Sequence, residues 1–452
     1  MLGGLFQSIE NFFAGSEPAP SQPFVISNGF LEKYNGNDSS VVIPSNVSKI
    51  GQFAFKDSRS QISEVTIPRG VDISAFAFSD CKKLMTVNFP DGITEEQAMS
   101  LPIAFGDTPW FEFLPTDSIF SDVLVKIDKT QTHVVVPQGV KHIAKLAFQG
   151  ASVTSVDLPD GLISIGYNAF EGCKQLKSIN LPSSLTSIMA SFEGCEQLSS
   201  VVLPSSLTEF STAFEECKQL SSVVLPSNIT SIDMRAFKGC QQLSSIDLPS
   251  SITSIGDSAF AHSGLSNIDL PSGITSIGDN AFACSELSNI ELPSSVKQIG
   301  FGAFQCTRLK SIKIPDGVTS IAEAAFNNCN QLNSIEIPNS VTSIGKNAFK
   351  GTNWECIEIP ASVLVIGEGA FSNCPNLKKV IFHEGLTRIE KLAFADCPNL
   401  LPIKLPRTLR YLGWHAFSID FEKREADLTV AVPKECECDV FAFDGRCNGV
   451  KY

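Results

Sequence analysis

Nowhere does the 452-residue sequence approach the roughly 18 consecutive apolar residues of a membrane-spanning helix. Basic residues are outnumbered: 34 Lys and Arg stand against 48 Asp and Glu, a formal net charge of -14 at pH 7. Nucleic acids and anionic membranes are gripped through basic faces, so neither is an expected partner. Met1-Leu-Gly-Gly-Leu-Phe6 has no basic residue, and Glu10 interrupts the short apolar stretch, so no secretory leader is predicted. The expected location is the cytoplasm, with the cell surface or secretion as the alternative.

Reactive groups are equally sparse. No HExxH and no glycine-rich phosphate loop occurs. The five histidines, His133, His142, His262, His383 and His415, keep no fixed relation to a serine or cysteine. Serine is so common that a Ser near a His carries little weight. The one metal-like cluster is Cys436-Glu-Cys438 with Cys447, tighter than C-x2-4-C and without a fourth ligand nearby. The expectation is no enzyme, no cofactor and no metal site; a zinc-dependent protein or enzyme stands as the last alternative.

What the chain does contain is one phrase repeated. Leu243, Ile246, Leu248 and Pro249 recur 22 residues on as Leu265, Ile268, Leu270 and Pro271. Ile252-Thr-Ser-Ile255-Gly256 recurs as Ile274-Thr-Ser-Ile277-Gly278, and Ala259-Phe260 as Ala281-Phe282. A fixed period in the 20s marks a solenoid and overrides the length prior of about three globular domains. Each copy reads as one coil. A short strand lies near Ile246-Asp-Leu248, and Pro249 ends it because proline cannot donate to a ladder. Ile252 and Ile255 point inward on a second extended segment, Gly256 permits a bend, and Ala259-Phe260 closes the coil. One coil cannot bury its own apolar side, so coils stack on a shared core. The proline recurs from Pro44 to Pro433, with His383 in its place once. Roughly seventeen coils result, about 80 Å of stack at the strand spacing of about 4.8 Å.

The repeat organises the rest. Residues 1–23 form an amphipathic segment (Leu5, Phe6, Ile9, Phe12, Phe13) and a linker through Pro18 and Pro20. Residues 24–44 are expected to be a capping hairpin turning at Asn35-Gly36-Asn37-Asp38, and 45–94 the first repeats. Residues 95–137 hold an insertion whose segment from Leu124 copies that from Leu31 at an offset of 93. It predicts a protruding second hairpin with Trp110 packed at its base. Residues 138–418 are regular repeats, and 419–452 a worn C-terminal cap.

Ten of the 14 cysteines fall two or three residues after the phenylalanine: Cys81, Cys173, Cys195, Cys217, Cys240, Cys284, Cys306, Cys329, Cys374 and Cys397. They are expected to form a ladder of small buried thiols. The outward column of the first strand carries the candidate partner-binding residues: Val202, Val224, Asp247, Asp269, Glu291, Lys313, Glu336 and Glu358. An acidic strip there suits a protein partner with a basic surface; the plain alternative is a solvated face whose charges prevent edge pairing.

The coil L-x-x-I-x-L-P-x-x-h-T-x-I-G-x-x-A-F-x-x-C, with h aliphatic, resembles the repeat of the BspA-type leucine-rich repeat family over about residues 24 to 445. Gly29, Leu31, Lys33, Tyr34, Asn35 and Gly36 match a segment common in bacterial members, and Leu124 and Lys126 keep part of it. The resemblance implies a right-handed leucine-rich-repeat solenoid of short parallel strands, turns and short helical segments, carrying two hairpin insertions. It also implies a non-enzymatic recognition role. Several members are cell-surface adhesins, which is the alternative to an interaction scaffold. The resemblance transfers no catalytic residues.

Overall fold

A computed structural model describes residues 23–56, 61–419, 427–439, 441–443 and 447–452. The expected amphipathic segment and linker, and the charged run that opens at Asp420, lie outside the described residues. The fold is a parallel β-solenoid of about 18 turns with little helix. Two compact units divide it, Met1–Ile127 and Asp128–Tyr452.

In the second unit most coils contribute a two-residue strand after the proline, commonly Ser-Ile. Ser231–Ile232, Ser254–Ile255, Ser276–Ile277 and Gln298–Ile299 pair in parallel, one coil apart. Ile255 and Ile277 are buried, as the pattern requires. The glycine after them serves close approach rather than a special bend: a Cβ on Gly256 would sit 2.8 Å from Ile232 O of the preceding coil. The left-handed residues lie further on. They fall just before the Ala-Phe pair (Ser258 φ 55°, Asn280 φ 54°) and two residues after Phe (His262 φ 56°, Cys284 φ 56°). This conformation turns the N–H groups of Ser258, Phe260 and His262 onto carbonyls of the next coil, at 2.7–2.8 Å. Strand N–H groups point the other way, Gly256 to Ile232 O at 2.7 Å. The two sides of the coil thus bond in opposite directions and fix each coil between its neighbours.

Inside lies a column of phenylalanine rings. Phe237, Phe260, Phe282, Phe304 and Phe326 are fully buried and stack at 5.4–5.7 Å, with rings within 15° of parallel. Beside it runs the thiol ladder. Cys195, Cys217 and Cys240 are buried, each donating its S–H at 3.2 Å to the carbonyl of a phenylalanine one coil back (Phe170, Phe192, Phe214). The expected ladder needs one correction. Cys284 and Cys306 do not belong to it; they sit one residue earlier, half-buried and exposed. Ser285 and Thr307 take the ladder position, bonded at 2.7 and 2.8 Å to Phe282 O and Phe304 O.

The first unit opens with strands β1 (Phe24–Ser27) and β2 (Phe30–Tyr34), an antiparallel hairpin. Its turn is Asn28-Gly29, at φ 51° and 79°, not Asn35–Asp38 as expected. Two consecutive left-handed residues are what a two-residue hairpin needs, and both Asn-Gly pairs offered them. The second pair instead comes after β2, where Tyr34 Oη donates to Asp38 at 2.5 Å. The segment Ser40–Val42 is a coil strand, β3, parallel to β4 (Glu64–Thr66). In the later copy β5 (Ser118–Phe120) and β6 (Val123–Lys126) form an antiparallel hairpin around Ser121-Asp122, with Ser121 at φ 57°.

The insertion is packed into this unit rather than protruding. Helix α1 (Glu95–Phe105) delivers Ala104-Phe105 to the ring column, Phe105 stacking on Phe78 at 4.5 Å. Trp110 meets Phe105 edge-on at 5.1 Å and Phe120 of the hairpin at 6.5 Å, the packing expected of it. The helix starts at a capping box, Thr94 with Gln97. Buried Gln97 also donates to Pro68 O (3.0 Å) and Val71 O (3.1 Å) and accepts from Gly70 N (3.1 Å) and Thr94 N (2.9 Å). Gln97→Leu removes all four of these bonds and is expected to cost about 3 kcal/mol, read as a lower urea midpoint. An unchanged midpoint would show that these bonds carry no weight.

Candidate partner-binding face

The first extended segment of the coils in the second unit forms a face whose outward column holds the sequence-predicted residues. Where that strand reads Ser-Val-Val it ladders well. Ser200–Val202 and Ser222–Val224 pair in register, Val202 opposite Val224, with the two valines 62% and 53% exposed. Further along, Lys313 lies opposite Glu336 and Glu358 opposite Ile381. Lys313 Nζ meets Glu336 at 3.0 Å, and His383 Nε2 meets Glu358 at 2.7 Å.

Between these stretches three consecutive coils differ. The segments Ile246–Leu248, Ile268–Leu270 and Ile290–Leu292 form no strand, against the expectation of one at Ile246-Asp-Leu248. Backbone bonding between them stops at Ser266 N–H to Ser244 O (3.1 Å) and Ser288 N–H to Ser266 O (3.0 Å). Composition accounts for the lost pairing around Asp269. Asp and Asn are poor strand residues, and the outward positions are Asp247, Asp269 and Glu291, so Asp269 has a carboxylate on either side. Like charges directly opposite oppose pairing. Where a charged column residue does ladder, its partner is a cation or apolar: Glu336 on Lys313, Glu358 on Ile381, Asp157 on Val135.

The three carboxylates are exposed, and among the described residues no basic side chain pairs with them. Where the unladdered backbone meets the next strand, a cleft of about 470 Å³ opens, lined by Asn289, Glu291, Ser311, Lys313, Ser334 and Glu336. The eight sequence-predicted residues therefore share equivalent coil positions. The break in the ladder and the cleft beside it were not foreseen. Three acidic residues at consecutive column positions, each preceded by Ser-Ile or Asn-Ile, were the signal available.

Other clusters are of a different kind. His133 Nδ1 lies 2.8 Å from Ser155 Oγ, and its Nε2 lies 3.5 Å from Asp157. All three stand on an exposed strand face, and the N–H of Ser155 is committed to Thr132 O at 3.3 Å. Nothing there aims donors at a developing charge, as acyl transfer requires. In the C-terminal cap, Lys451 Nζ lies 3.4 Å from Cys438 Sγ, and Cys447 pairs along its strand with Leu428. Cys436 beside it is pushed up to about 11 by burial and by the Cys438 neighbour. Among the described residues no helix is long and apolar enough to cross a membrane.

A family model described as BspA type leucine rich repeat region matches in six copies, over residues 26–101, 126–212, 210–330 and 297–421. No curated protein matches the chain. Among solved structures, a leucine-rich repeat protein from Bacteroides ovatus is similar at 23% identity, covering 94% of this chain and 94% of that one, with a TM-score of 0.48. A leucine rich cell surface protein from Faecalibacterium prausnitzii is similar at 22% identity, covering 94% and 92%, with a TM-score of 0.32. The functional domain of InlJ from Listeria monocytogenes, which includes a cysteine ladder, is similar at 10% identity, covering 86% and 70%, with a TM-score of 0.18.

Proposed function

Since the chain belongs to the BspA-type leucine-rich repeat family, whose fold is typically a non-enzymatic binding scaffold, we propose that it holds a protein partner along the strand face from Val202 to Glu358 and catalyses no reaction. The partner carries a basic stripe that lies on Asp247, Asp269 and Glu291. The observation that carries this reading is the confinement of unneutralised charge to three consecutive coils. Lys313 with Glu336 and Glu358 with His383 neutralise their charges on the same face, whereas these three carboxylates have no such partner among the described residues and their segments form no strand. A cationic partner would lower the repulsion and desolvate the apolar Val202 and Val224 beside it. Electrostatic complementarity of this kind sets encounter rate and specificity more than raw affinity.

The test is the triple reversal Asp247→Lys, Asp269→Lys, Glu291→Lys. Partner captured by the wild-type chain is expected to bind the variant about tenfold or more weakly at low salt, and the wild-type complex to weaken as salt rises. Equal recovery by both chains would discard the face. The same face suits a surface adhesin, and location separates the two roles. Protection from protease added to intact cells is expected for a cytoplasmic scaffold, and digestion for an adhesin.

A further inference from the structure

Cys284 and Cys306 are the two cysteines that leave the buried ladder, and they do so on adjacent coils. Each stands second after its phenylalanine, Phe282 and Phe304, in the left-handed conformation (φ 56° and 57°). At the equivalent place other coils carry Gly172, Gly194, Asn328 or Asn373, residues suited to that backbone. Cysteine has no such preference. Nor does the core need these thiols, because Ser285 and Thr307 already fill the ladder position and satisfy Phe282 O and Phe304 O. The residue type is therefore explained neither by conformation nor by packing.

Geometry supplies a role. Cys284 N–H donates to Gln305 O at 2.8 Å and Phe282 N–H to Ala303 O at 2.8 Å, so the two cysteines stack in register. A coil spacing of about 4.8 Å lies inside the Cα separation of roughly 4.4–6.8 Å that a disulfide spans. Both are free, Cys306 exposed and Cys284 half-buried. We propose that this pair is an oxidation site, a dithiol that a hydroperoxide converts into a disulfide clamping two coils together.

The chemistry closes without another reagent. The Cys306 thiolate attacks one oxygen of hydrogen peroxide. The O–O bond breaks, leaving a sulfenic acid on Cys306, and the departing hydroxide takes up a proton as water. The sulfur of Cys284, losing its proton, then attacks the Cys306 sulfur; the S–O bond breaks and a second water leaves. Two thiols are oxidised to one disulfide, and one peroxide is reduced to two waters. Partial burial and the Cys306 neighbour push Cys284 up to about 11, which disfavours it as the first nucleophile; in the second step the stacked coils hold its sulfur beside the sulfenic acid. The pair lies after the Ala-Phe turn, not on the strand face, so its oxidation is separable from partner binding.

The test uses the full chain, treated with a slight excess of hydrogen peroxide, alkylated with iodoacetamide and mapped by mass spectrometry without reduction. Trypsin cuts at Lys297, between the two cysteines. The expected product is a linked pair of peptides joined through Cys284 and Cys306, lighter by two hydrogens than the sum of the reduced peptides and absent from Cys306→Ser. Cys356, exposed and opposite Lys379 in its ladder, is the internal control and is expected to stay unlinked. Cys306 oxidised alone while Cys284 remains alkylatable, or Cys306 linking two chains instead, would overturn the proposal. A circular dichroism spectrum of Cys306→Ser matching wild type shows that the variant keeps its fold.

Discussion

Phe282→Ala is expected to lower the unfolding free energy by about 4 kcal/mol, close to the whole margin of a small domain. The ring is fully buried between Phe260 at 5.6 Å and Phe304 at 5.5 Å, nearly parallel to both. A globular core can shrink around such a hole. Here it cannot, because Phe282 N–H is bonded to Ala303 O and Phe260 N–H to Ala281 O, both at 2.8 Å, and these bonds hold the coils apart at fixed spacing. The cavity therefore stays open and both neighbouring rings lose a face. Stability in a repeat array is close to a sum of coil and nearest-neighbour terms, so position should matter. Phe443, at the end of the column, is 6.5 Å from Phe417 and half-buried. Phe443→Ala should cost about 1 kcal/mol. Urea titration of both variants checks the pair. Equal costs would mean that the ring column does not carry the array.

Most of this column was legible in the sequence, because nearly every ring follows an Ala (Ser191 precedes Phe192), and the pair recurs with the period of the proline. The apolar positions face inward in every coil for one reason: a coil has only one side to bury. What the sequence left ambiguous has local causes. Two Asn-Gly pairs stand in the first hairpin region, and either satisfies a two-residue turn. The choice of Asn28-Gly29 lets Ser40–Val42 join the coil strands, a long-range gain that a local reading cannot weigh. The insertion showed its Ala104-Phe105 but not the helix presenting it, although Thr94 and Gln97 spell a capping box. On the candidate face, residue identities gave the column, while its missing ladder depended on which charge lies opposite which. That is a property of neighbouring coils rather than of any one repeat. The two displaced cysteines were visible as Phe282-Ala-Cys284 and Phe304-Gln-Cys306 against Phe170-Glu-Gly-Cys173. A shift of one residue moves a side chain from core to surface, so nearly the same place was not the same environment.

The buried thiols predict how the array fails at high pH. Burial pushes Cys173 up to about 12 and Cys329 to about 11, and drives Cys195, Cys217, Cys240 and Cys397 well above the ordinary thiol range. Each is protonated and uncharged when folded. Below the unfolded thiol value, near 9, both states hold the proton and the stabilisation is complete. As pH rises past that value the unfolded chain ionises while the folded chain does not, so stability falls, and it keeps falling until the raised folded values are reached. One pH unit across one such thiol is about 1.4 kcal/mol, so six of them together remove about 8 kcal/mol between pH 9 and 10 as an upper bound. The urea midpoint, measured with reductant present, is expected to be flat from pH 7 to 8 and to drop steeply above 9. Lysine and tyrosine also titrate there, so the decisive comparison is Cys217→Ser with Cys240→Ser. Serine occupies this position at Ser263 and Ser285, bonded at 2.7 Å to the phenylalanine carbonyl of its own coil, and it does not ionise. The double variant should lose about one third of the thiol contribution to that slope. Identical slopes would mean that the ladder thiols ionise in place, and that the column beside the rings is open to water.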